Sequence, residues 1–310
     1  MRPTISRLLQ ATRALQHENP LGLPKTGSIP RFQRGLPQKR KIPNVNKVIA
    51  VSSAKGGVGK STIAANLALS LSRLGYTTGI LDTDLFGPSI PTLFNLSSPS
   101  LSPNLNSNNQ LLPLTSYGVK TMSIGYLLGS ESSALVWRGP MLLKAIQQLL
   151  HEVDWSHPSL DILVLDLPPG TGDTQLSIAQ QVVVDGAVIV TTPHTLAIKD
   201  AVKGVNMFRK VEIPILGVVQ NMSVFCCPGC GKETHVFGGT EAVRKMCEEM
   251  EGGGTEFLGD VPLHPAIGED GGRGKPTVVS DPEGKEAGAF MELGRRVAGL
   301  VGLPEMGKKL

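Results

Sequence analysis

Short apolar segments rich in β-branched residues alternate along the chain with longer segments of amphipathic pattern. The apolar segments are KVIAVSS (47–53), TTGILDTD (77–84), LDILVLDLPPG (160–170), GAVIVTT (186–192), IPILGVVQN (213–221) and TEFLGDVP (255–262). The spacing of apolar positions predicts helices over 60–74, 141–153, 174–184, 196–210, 240–250 and 284–300. Continuous apolar strands that alternate with helices are typical of a parallel sheet covered on both faces. The pattern therefore predicts a doubly wound α/β fold with a mostly parallel sheet.

Two segments lack this periodicity. Residues 17–44 are rich in Pro, Gly and basic residues and predict a linker, whereas 97–113 (SSPSLSPNLNSNNQLLP) predict a surface loop. A chain of 310 residues is long enough to bury a substantial core, and we place one folded domain at 41–310, after an extension at 1–40. No apolar run reaches the ~18 residues of a membrane-spanning helix, so no integral membrane segment is expected.

Positive charge is concentrated in the first 47 residues. They contain ten Lys or Arg and a single acid, Glu18, whereas the rest of the chain has a net charge of −5. The N-terminal MRPTISRLLQATRALQ has apolar residues on one helical face and arginines away from it, as in a mitochondrial transit peptide. We predict import into the mitochondrial matrix, with an untargeted basic tail as the alternative. The acidic remainder disfavours a nucleic-acid-binding surface on the folded domain.

A phosphate-binding loop is predicted at SSAKGGVGKST (52–62), which follows a strand and begins a helix. Glycines allow backbone N–H groups to approach phosphates, Lys60 neutralises β/γ charge, and the Ser61 hydroxyl is expected to bind Mg²⁺. The residues expected to bind ATP here are Gly56, Gly57, Val58, Gly59, Lys60, Ser61 and Thr62.

The loop departs from the common Walker A pattern at its first glycine. Position 54 is Ala, and Lys55 follows it, giving KGGVGKS. This sequence resembles the deviant Walker A loop of the ParA/MinD/NifH class of ATPases. The resemblance implies that Lys55 reaches across a dimer interface to the nucleotide of the partner, which would couple ATP binding to dimerisation.

Carboxylates follow two predicted strands beside this loop. Asp82 and Asp84 end TTGILDTD, and Asp166 ends DILVLD. We expect Asp84 to position the attacking water or the Mg²⁺ shell, with Asp82 as the second candidate, and Asp166 to hold Mg²⁺ through water. The following PPGTGD (168–173) is predicted to be a switch that senses the γ-phosphate. A single Asp at a strand end is often only a helix cap, but three beside one loop favour a catalytic group.

Three of the four cysteines, Cys226, Cys227 and Cys230, lie within five residues, in FCCPGCG. In a protein that is not secreted, this spacing favours metal or redox chemistry over disulfides. The fourth, Cys247, lies in the predicted helix AVRKMCEEM and is expected to belong to the core.

The lead-in GLPQKRKIPNVNKVIAVSSAKGGVGKST (35–62) and the transit-like N-terminus most resemble the mitochondrial branch of the Mrp/NBP family of P-loop iron–sulfur proteins, and several further motifs resemble that family as a whole. They are DTDLFGPSIP, WRGPM (137–141), LDLPPGTGDTQL, VTTPHTLAIKDAVKGVNMFRKV, GVVQNMS and FCCPGCG followed by FGG. The resemblance implies an ATP-dependent carrier of a labile [4Fe–4S] cluster, with slow ATP hydrolysis, that serves respiratory complex I. Related ATPases imply that Asn221 reads adenine and that Pro262 lies in the segment lining the base.

The same resemblance assigns the cluster to the CxxC pair, Cys227 and Cys230. One pair supplies two thiolates, whereas a [4Fe–4S] cluster is held by four. A symmetric homodimer would supply the second pair at its two-fold axis. The other partners implied are apo iron–sulfur proteins and upstream cluster-assembly factors.

Other interpretations of the cysteines stay open. A mononuclear Zn²⁺ site could combine the CxxC pair with His235 or Cys247. A thioredoxin-like redox pair is disfavoured because the motif does not begin a helix, and Cys226 is either an apolar thiol or a substitute ligand. His194, where relatives often have Gln, is interpreted as structural.

The rival function is that of a positioning ATPase acting on DNA or a membrane. A positioning ATPase that acts on a membrane needs an amphipathic helix near its C-terminus. The segment LGRRVAGLVGLPEMGKKL is interrupted by Gly and Pro and is a poor candidate for such a helix.

Overall fold

The structure, a computed structural model, describes residues 39–98, 101–127, 139–227, 229–239, 241–250 and 254–306. Its strands are β1 (Val45–Ser52), β2 (Thr78–Asp82), β3 (Leu114–Ser116), β4 (Val119–Ser123), β5 (Leu160–Asp166), β6 (Gly186–Thr191), β7 (Ile215–Cys226), β8 (Glu233–Thr234) and β9 (Phe257–Leu263). Its helices are α1 (Lys60–Arg73), α2 (Ile90–Leu93), α3 (Gly139–His151), α4 (Asp173–Gln181), α5 (Thr195–Lys210), α6 (Glu241–Glu249), α7 (Pro265–Gly272), α8 (Thr277–Ser280) and α9 (Lys285–Leu300).

These strands form one sheet in the order β3-β4-β2-β5-β1-β6-β7-β8, with β9 also paired to β7. Pairing is parallel except for β3 with β4 and β7 with β8. The carboxyl ends of β1, β2, β5, β6 and β7 therefore meet at one edge. Ligands of open α/β sheets bind at this edge, and the predicted phosphate loop and carboxylates all follow strands that end there.

The sheet is covered on both faces, as the apolar strands predicted. Along β1, Val48 and Ala50 belong to one core and Ile49 and Val51 to the other, because successive side chains of a strand point to opposite faces. Helices α3, α4, α5 and α6 contribute to the first core, and α1 and α9 to the second. The doubly wound, mostly parallel fold is confirmed.

Each strand and helix predicted from the pattern is present, with small shifts at the ends. The pattern missed the short elements β3, β4, β8, α2, α7 and α8. It also ended β7 at Asn221, whereas the strand continues to Cys226.

The linker prediction is wrong for its last residues. Arg40 pairs with Val182, and the side chain of Ile42 is buried in the core, so the folded region includes residues 40–44. The described part of 97–113 is a loop as predicted, held by pairing of Leu111 with Val153. The predictions for residues 1–38, and those resting on positions 137 and 138 of WRGPM, lie outside the described residues. Among the described helices, none has the length and hydropathy needed to cross a membrane.

Candidate functional site

The phosphate-binding loop joins β1 to α1, as predicted. Gly57 and Gly59 have φ of 79° and 82°, a region that favours glycine. A Cβ at Gly57 would have no neighbour within 4 Å, whereas one at Gly59 would lie 2.2 Å from Asn221 Nδ2. Gly59 is also the N-cap residue of α1, and no side chain accepts a capping hydrogen bond there. The first backbone N–H groups of this helix are thus left for a phosphate ligand.

A cavity of about 470 Å³ opens in front of this loop. Of the predicted residues, it is lined by Gly56, Gly57, Gly59, Lys60, Ser61, Thr62 and Asp84. Sequence reasoning missed Pro88, Ser89, Thr92, Leu93, Gly271 and Gly272, which also line it. The first four lie four to nine positions after Asp84 and could have been found from that proximity. The glycine pair, at the end of α7, had no such signal.

A larger cavity of about 770 Å³ lies at the amino ends of β7 and β9, lined in part by Ile215 and Glu256. It contains none of the residues predicted to bind nucleotide or cluster. Because the predicted chemistry lies at the carboxyl edge of the sheet, we assign the site to the smaller cavity.

Lys60 and Asp166 form a buried ion pair beneath the loop, in which Lys60 Nζ contacts Asp166 Oδ1. Lys60 Nζ also lies 3.2 Å from Ser61 Oγ. Burial raises the pKa of Asp166, and the charge of Lys60 opposes that rise. The second oxygen, Asp166 Oδ2, is buried and has no hydrogen-bond partner among the described residues. A hydrogen bond from Ser61 also lowers the pKa of Asp166, and the closeness of this hydroxyl to a buried carboxylate fits the prediction that these two residues serve a hydrated Mg²⁺.

Asp82 and Asp84 occupy different environments. Asp82 is fully buried, and its carboxylate accepts hydrogen bonds from the N–H groups of Asp84, Ser89 and Ile90 and from Ser123 Oγ, at 3.0–3.2 Å. Burial, with the charge of Asp166 adding to it, raises the pKa of Asp82 to about 7.

Asp84, in contrast, lines the cavity, and its Oδ1 accepts from Phe86 N and Gly87 N at 3.3 Å. The geometry thus places the first candidate in the site, whereas Asp82 organises the backbone that presents Asp84.

The predicted switch after β5 is tied to the end of β1. Gly170 N donates to Ser53 O at 2.9 Å, and Gln175 Nε2 donates to Ser52 Oγ at 3.0 Å and to Pro168 O. Pro169 lines the cavity. The segment therefore touches both the phosphate loop and the cavity, as its predicted role requires.

Asn221 lies against the phosphate loop, although it does not line the cavity. Its Nδ2 donates to Val58 O at 2.9 Å, and the side chain is 6% exposed. Pro262 follows Val261, the residue of β9 that pairs with Asn221, and is half-buried. The adenine contacts of Asn221 and Pro262 stay predictions, and the contact with Val58 is an addition that the sequence did not suggest.

The CxxC motif lies at the tip of the hairpin formed by β7 and β8. Cys227 N donates to Lys232 O at 3.0 Å, and Gly231 N donates to Cys227 O at 2.8 Å, which closes the turn. Cys227 is half-buried and Cys230 is exposed. The backbone N–H groups of Gly229 and Cys230 lower the pKa of Cys227. A lowered pKa favours the thiolate, which is the form that binds metal.

No group of three or more His, Cys, Asp or Glu side chains that could hold a metal ion occurs among the described residues. His235 Nδ1 lies 3.4 Å from Ser223 O, and Cys247 is buried in the core, where burial raises its pKa to about 11. The geometry thus does not assemble the one-chain zinc site. Cys226 Sγ contacts Gly231 O at 3.5 Å.

Two further predictions concern single side chains. His194 Nδ1 accepts from Leu196 N at 3.2 Å and caps α5, which confirms a structural role. Lys55 is exposed in the phosphate loop, and its carbonyl accepts from Ser53 Oγ at 2.9 Å.

Comparisons with known proteins identify the family of this chain. The chain is 49% identical over 268 residues to the iron-sulfur cluster transfer protein NUBPL of Mus musculus, covering 86% of this chain and 81% of that protein. It is also 49% identical over 257 residues to the iron-sulfur cluster carrier protein of Escherichia coli (strain K12). This match covers 83% of this chain and 67% of that protein.

Solved structures show the same fold. A nucleotide-binding protein from Archaeoglobus fulgidus in complex with ADP has a TM-score of 0.64 at 33% identity, covering 80% of this chain and 93% of its own. The cell division ATPase MinD of Pyrococcus furiosus shares the fold, with a TM-score of 0.62 at 23% identity. This match covers 82% of this chain and 99% of the MinD chain. A family model described as ParA, NUBPL iron-transfer P-loop NTPase, matches residues 44–298. This chain therefore belongs to the NUBPL family of iron-transfer P-loop NTPases.

Proposed function

We propose that this protein is an ATP-dependent iron–sulfur cluster carrier. Two copies would bind a labile [4Fe–4S] cluster between their Cys227 and Cys230 thiolates and deliver it to apoproteins. The observation that carries the proposal is an exposed turn that presents two cysteines, with no third ligand within reach among the described residues. Relatives that are almost half identical are named for iron–sulfur cluster transfer, which supports the same function here.

The incomplete ligand set is the argument for a homodimer. A [4Fe–4S] cluster is held by four thiolates, and a two-fold axis through the turn would supply two from each chain. Exposure of Cys230 leaves such a cluster accessible to the thiols of an acceptor. The exposed Lys55 is available to contact the nucleotide of the second copy, so that ATP binding would favour the dimer that holds the cluster.

Nucleotide chemistry would use the residues around the cavity. Lys60 would exchange its contact with Asp166 for the β- and γ-phosphates, and Asp166 and Ser61 would then hold a hydrated Mg²⁺. Mg²⁺, when bound, neutralises phosphate charge. Asp84 orients the attacking water through its carboxylate. Hydrolysis is expected to be slow, because a switch depends on differential binding of two nucleotide states more than on turnover.

We place this activity in the mitochondrial matrix, on the evidence of the amphipathic, arginine-bearing N-terminal sequence. The proposed recipients are apo iron–sulfur subunits of respiratory complex I, and upstream assembly factors would load the cluster. Both partners rest on the family to which the chain belongs.

Anaerobic iron–sulfur reconstitution of the full chain tests the proposal. Iron, sulfide and zinc content and native mass are measured for the wild type and for Cys227→Ala and Cys230→Ala, with Cys247→Ala as the control in the core. We expect about four iron and four sulfide per dimer, lost in both CxxC variants and kept in the control. One zinc per monomer without sulfide would refute the carrier function and leave a nucleotide switch with a structural metal.

A positioning ATPase is less compatible with the described residues. Its membrane form needs a free amphipathic helix near the C-terminus, whereas α9 is packed into the core through Phe290, Leu293 and Val297. The resemblance to MinD is below 25% identity and supports the fold alone.

A further inference from the structure

Strand β7 connects the phosphate loop to the cysteine turn. Asn221 on this strand donates its amide to Val58 O at 2.9 Å, and the strand ends at Cys226, directly before Cys227. The proposed cluster ligand Cys227 thus lies six positions after a buried contact with the loop.

The peptide that Asn221 holds borders the cavity in front of the phosphate loop. Val58 C=O and Gly59 N–H belong to the same planar unit, in which the two groups point in opposite directions. Gly59 lines the cavity. Because Asn221 fixes the carbonyl on one side, it turns the N–H of Gly59 away from itself and toward the phosphate site.

The phosphate loop and β7 approach each other closely at Gly59. A Cβ at Gly59 would lie 2.2 Å from Asn221 Nδ2 and 3.9 Å from Met222 Cε, so two consecutive residues of β7 lie against the loop. A rotation of the Val58–Gly59 peptide on phosphate binding must therefore move Asn221 or break its hydrogen bond.

Between Asn221 and the cysteines, the pairing of β7 with β9 is irregular. Asn221 pairs with Val261 and Phe225 with Leu263, so four steps along β7 correspond to two along β9. Met222, within this bulge, has φ of 57°. Bulges change the direction of a strand and are frequent next to functional sites.

Two contacts carry the bulge toward the cysteine turn. Ser223 Oγ donates to Val261 O at 3.2 Å, and His235 Nδ1 lies 3.4 Å from Ser223 O. His235 belongs to the segment that follows the CxxC motif. The first contact ties the bulge to β9 and the second ties it to the segment after the cysteines, so the turn that holds Cys227 is connected to the bulge on both sides, along β7 and through His235.

We propose that Asn221 is a positioning residue that couples the nucleotide state of the phosphate loop to the geometry of the Cys227–Cys230 turn, through the bulge at Met222. This inference rests on the proposed function and adds a route within one chain, distinct from coupling through dimerisation by Lys55. Since linkage is reciprocal, occupancy of the cysteines changes ATP affinity through the same route.

The test measures the cysteines directly, without a cluster. The full-length apo protein is labelled with N-ethylmaleimide, and the rates at Cys227 and Cys230 are read by peptide mass spectrometry, with and without saturating Mg·ATP. Occupancy by ATP is verified for every variant under the labelling conditions. We expect ATP to change the labelling rate in the wild type by about fivefold or more, as in ordinary coupling between sites.

Asn221→Ala, once saturated with ATP, is expected to show no change in rate with nucleotide. Met222→Gly, which loosens the bulge and leaves the amide in place, is expected to weaken the response and serves if the first variant does not fold. Asn206→Ala, the same substitution at an exposed position of α5, is the matched control and keeps the wild-type response.

A full response in saturated Asn221→Ala would overturn the proposal and assign the coupling to dimerisation. A full response in Met222→Gly would overturn the role of the bulge, and a wild type without any response would exclude the coupling itself. None of these outcomes decides whether a cluster binds, because iron and sulfide content after reconstitution measures that separately.

Discussion

Replacing Gly59 by alanine is expected to destabilise the protein in two ways, through the backbone conformation of the phosphate loop and through its contact with Asn221. The backbone of Gly59, with φ of 82°, lies in the left-handed region, which costs a residue other than glycine ~1–2 kcal/mol of stability. The new Cβ would also lie 2.2 Å from Asn221 Nδ2 and displace the buried hydrogen bond to Val58 O, at a further ~1–3 kcal/mol.

Gly57→Ala is the matched control for this change. Gly57 has nearly the same φ, 79°, but a Cβ there meets no atom within 4 Å, so this variant carries only the backbone cost. Gly59→Ala should therefore be less stable than Gly57→Ala by ~1–3 kcal/mol. At ~2–4 °C per kcal/mol for a domain of this size, the two melting temperatures should differ by several degrees.

The assay is thermal denaturation of the ATP-free proteins followed by far-ultraviolet circular dichroism, with Asn221→Ala and the double variant completing a cycle. Because Asn221→Ala already removes the amide that the new Cβ meets, the two substitutions should be non-additive, with the double variant more stable than the sum predicts. Equal melting of Gly57→Ala and Gly59→Ala, together with additive costs in the cycle, would refute the contact on which the coupling proposal depends.

Three further predictions concern the charged residues of the site. Because the pKa of Asp82 is raised to about 7, its stabilising contribution is full at low pH and is lost as pH rises toward 7; Asp82→Asn should remove this part of the pH dependence of unfolding by urea. Lys55→Ala should still bind ATP, measured by equilibrium dialysis, and should fail to dimerise on binding it, measured by native mass. Asp84→Asn should retain ATP affinity and lower the rate of phosphate release by ~10²-fold or more, the usual effect of removing a group that orients the nucleophile.

The sequence was sufficient to predict the centre of the fold and the position of the glycine-rich loop between β1 and α1, for a physical reason. Strands such as β1 are buried on both faces, so their composition alone identifies them, and a glycine-rich loop between such a strand and a helix has few other uses. The edge strands β3 and β8 have three and two residues, too few to show a period.

The contacts that organise the site were beyond sequence reasoning because they join distant segments. Asn221 and Val58 are 163 positions apart, and only pairing within the sheet brings them together. The continuation of β7 to Cys226 was missed because Met222 has a positive φ, which changes the direction of the strand. The local sequence pattern does not predict this conformation. Asp82 and Asp84 are identical residues two positions apart, and only burial and hydrogen bonding distinguish their environments.

The features of the cysteine turn have one common consequence for cluster transfer. A site with four ligands in one chain would hold its cluster at any protein concentration, and release would require unfolding of the site. In the proposed dimer, each exposed hairpin tip supplies half of the ligands, so cluster affinity would contain the free energy of dimerisation as a term. A contact that shifts the dimer or the turn, such as the one between Asn221 and the phosphate loop, would then also shift cluster affinity. In this proposal, lability follows from incomplete ligation within each chain, and nucleotide binding acts by shifting the dimerisation equilibrium.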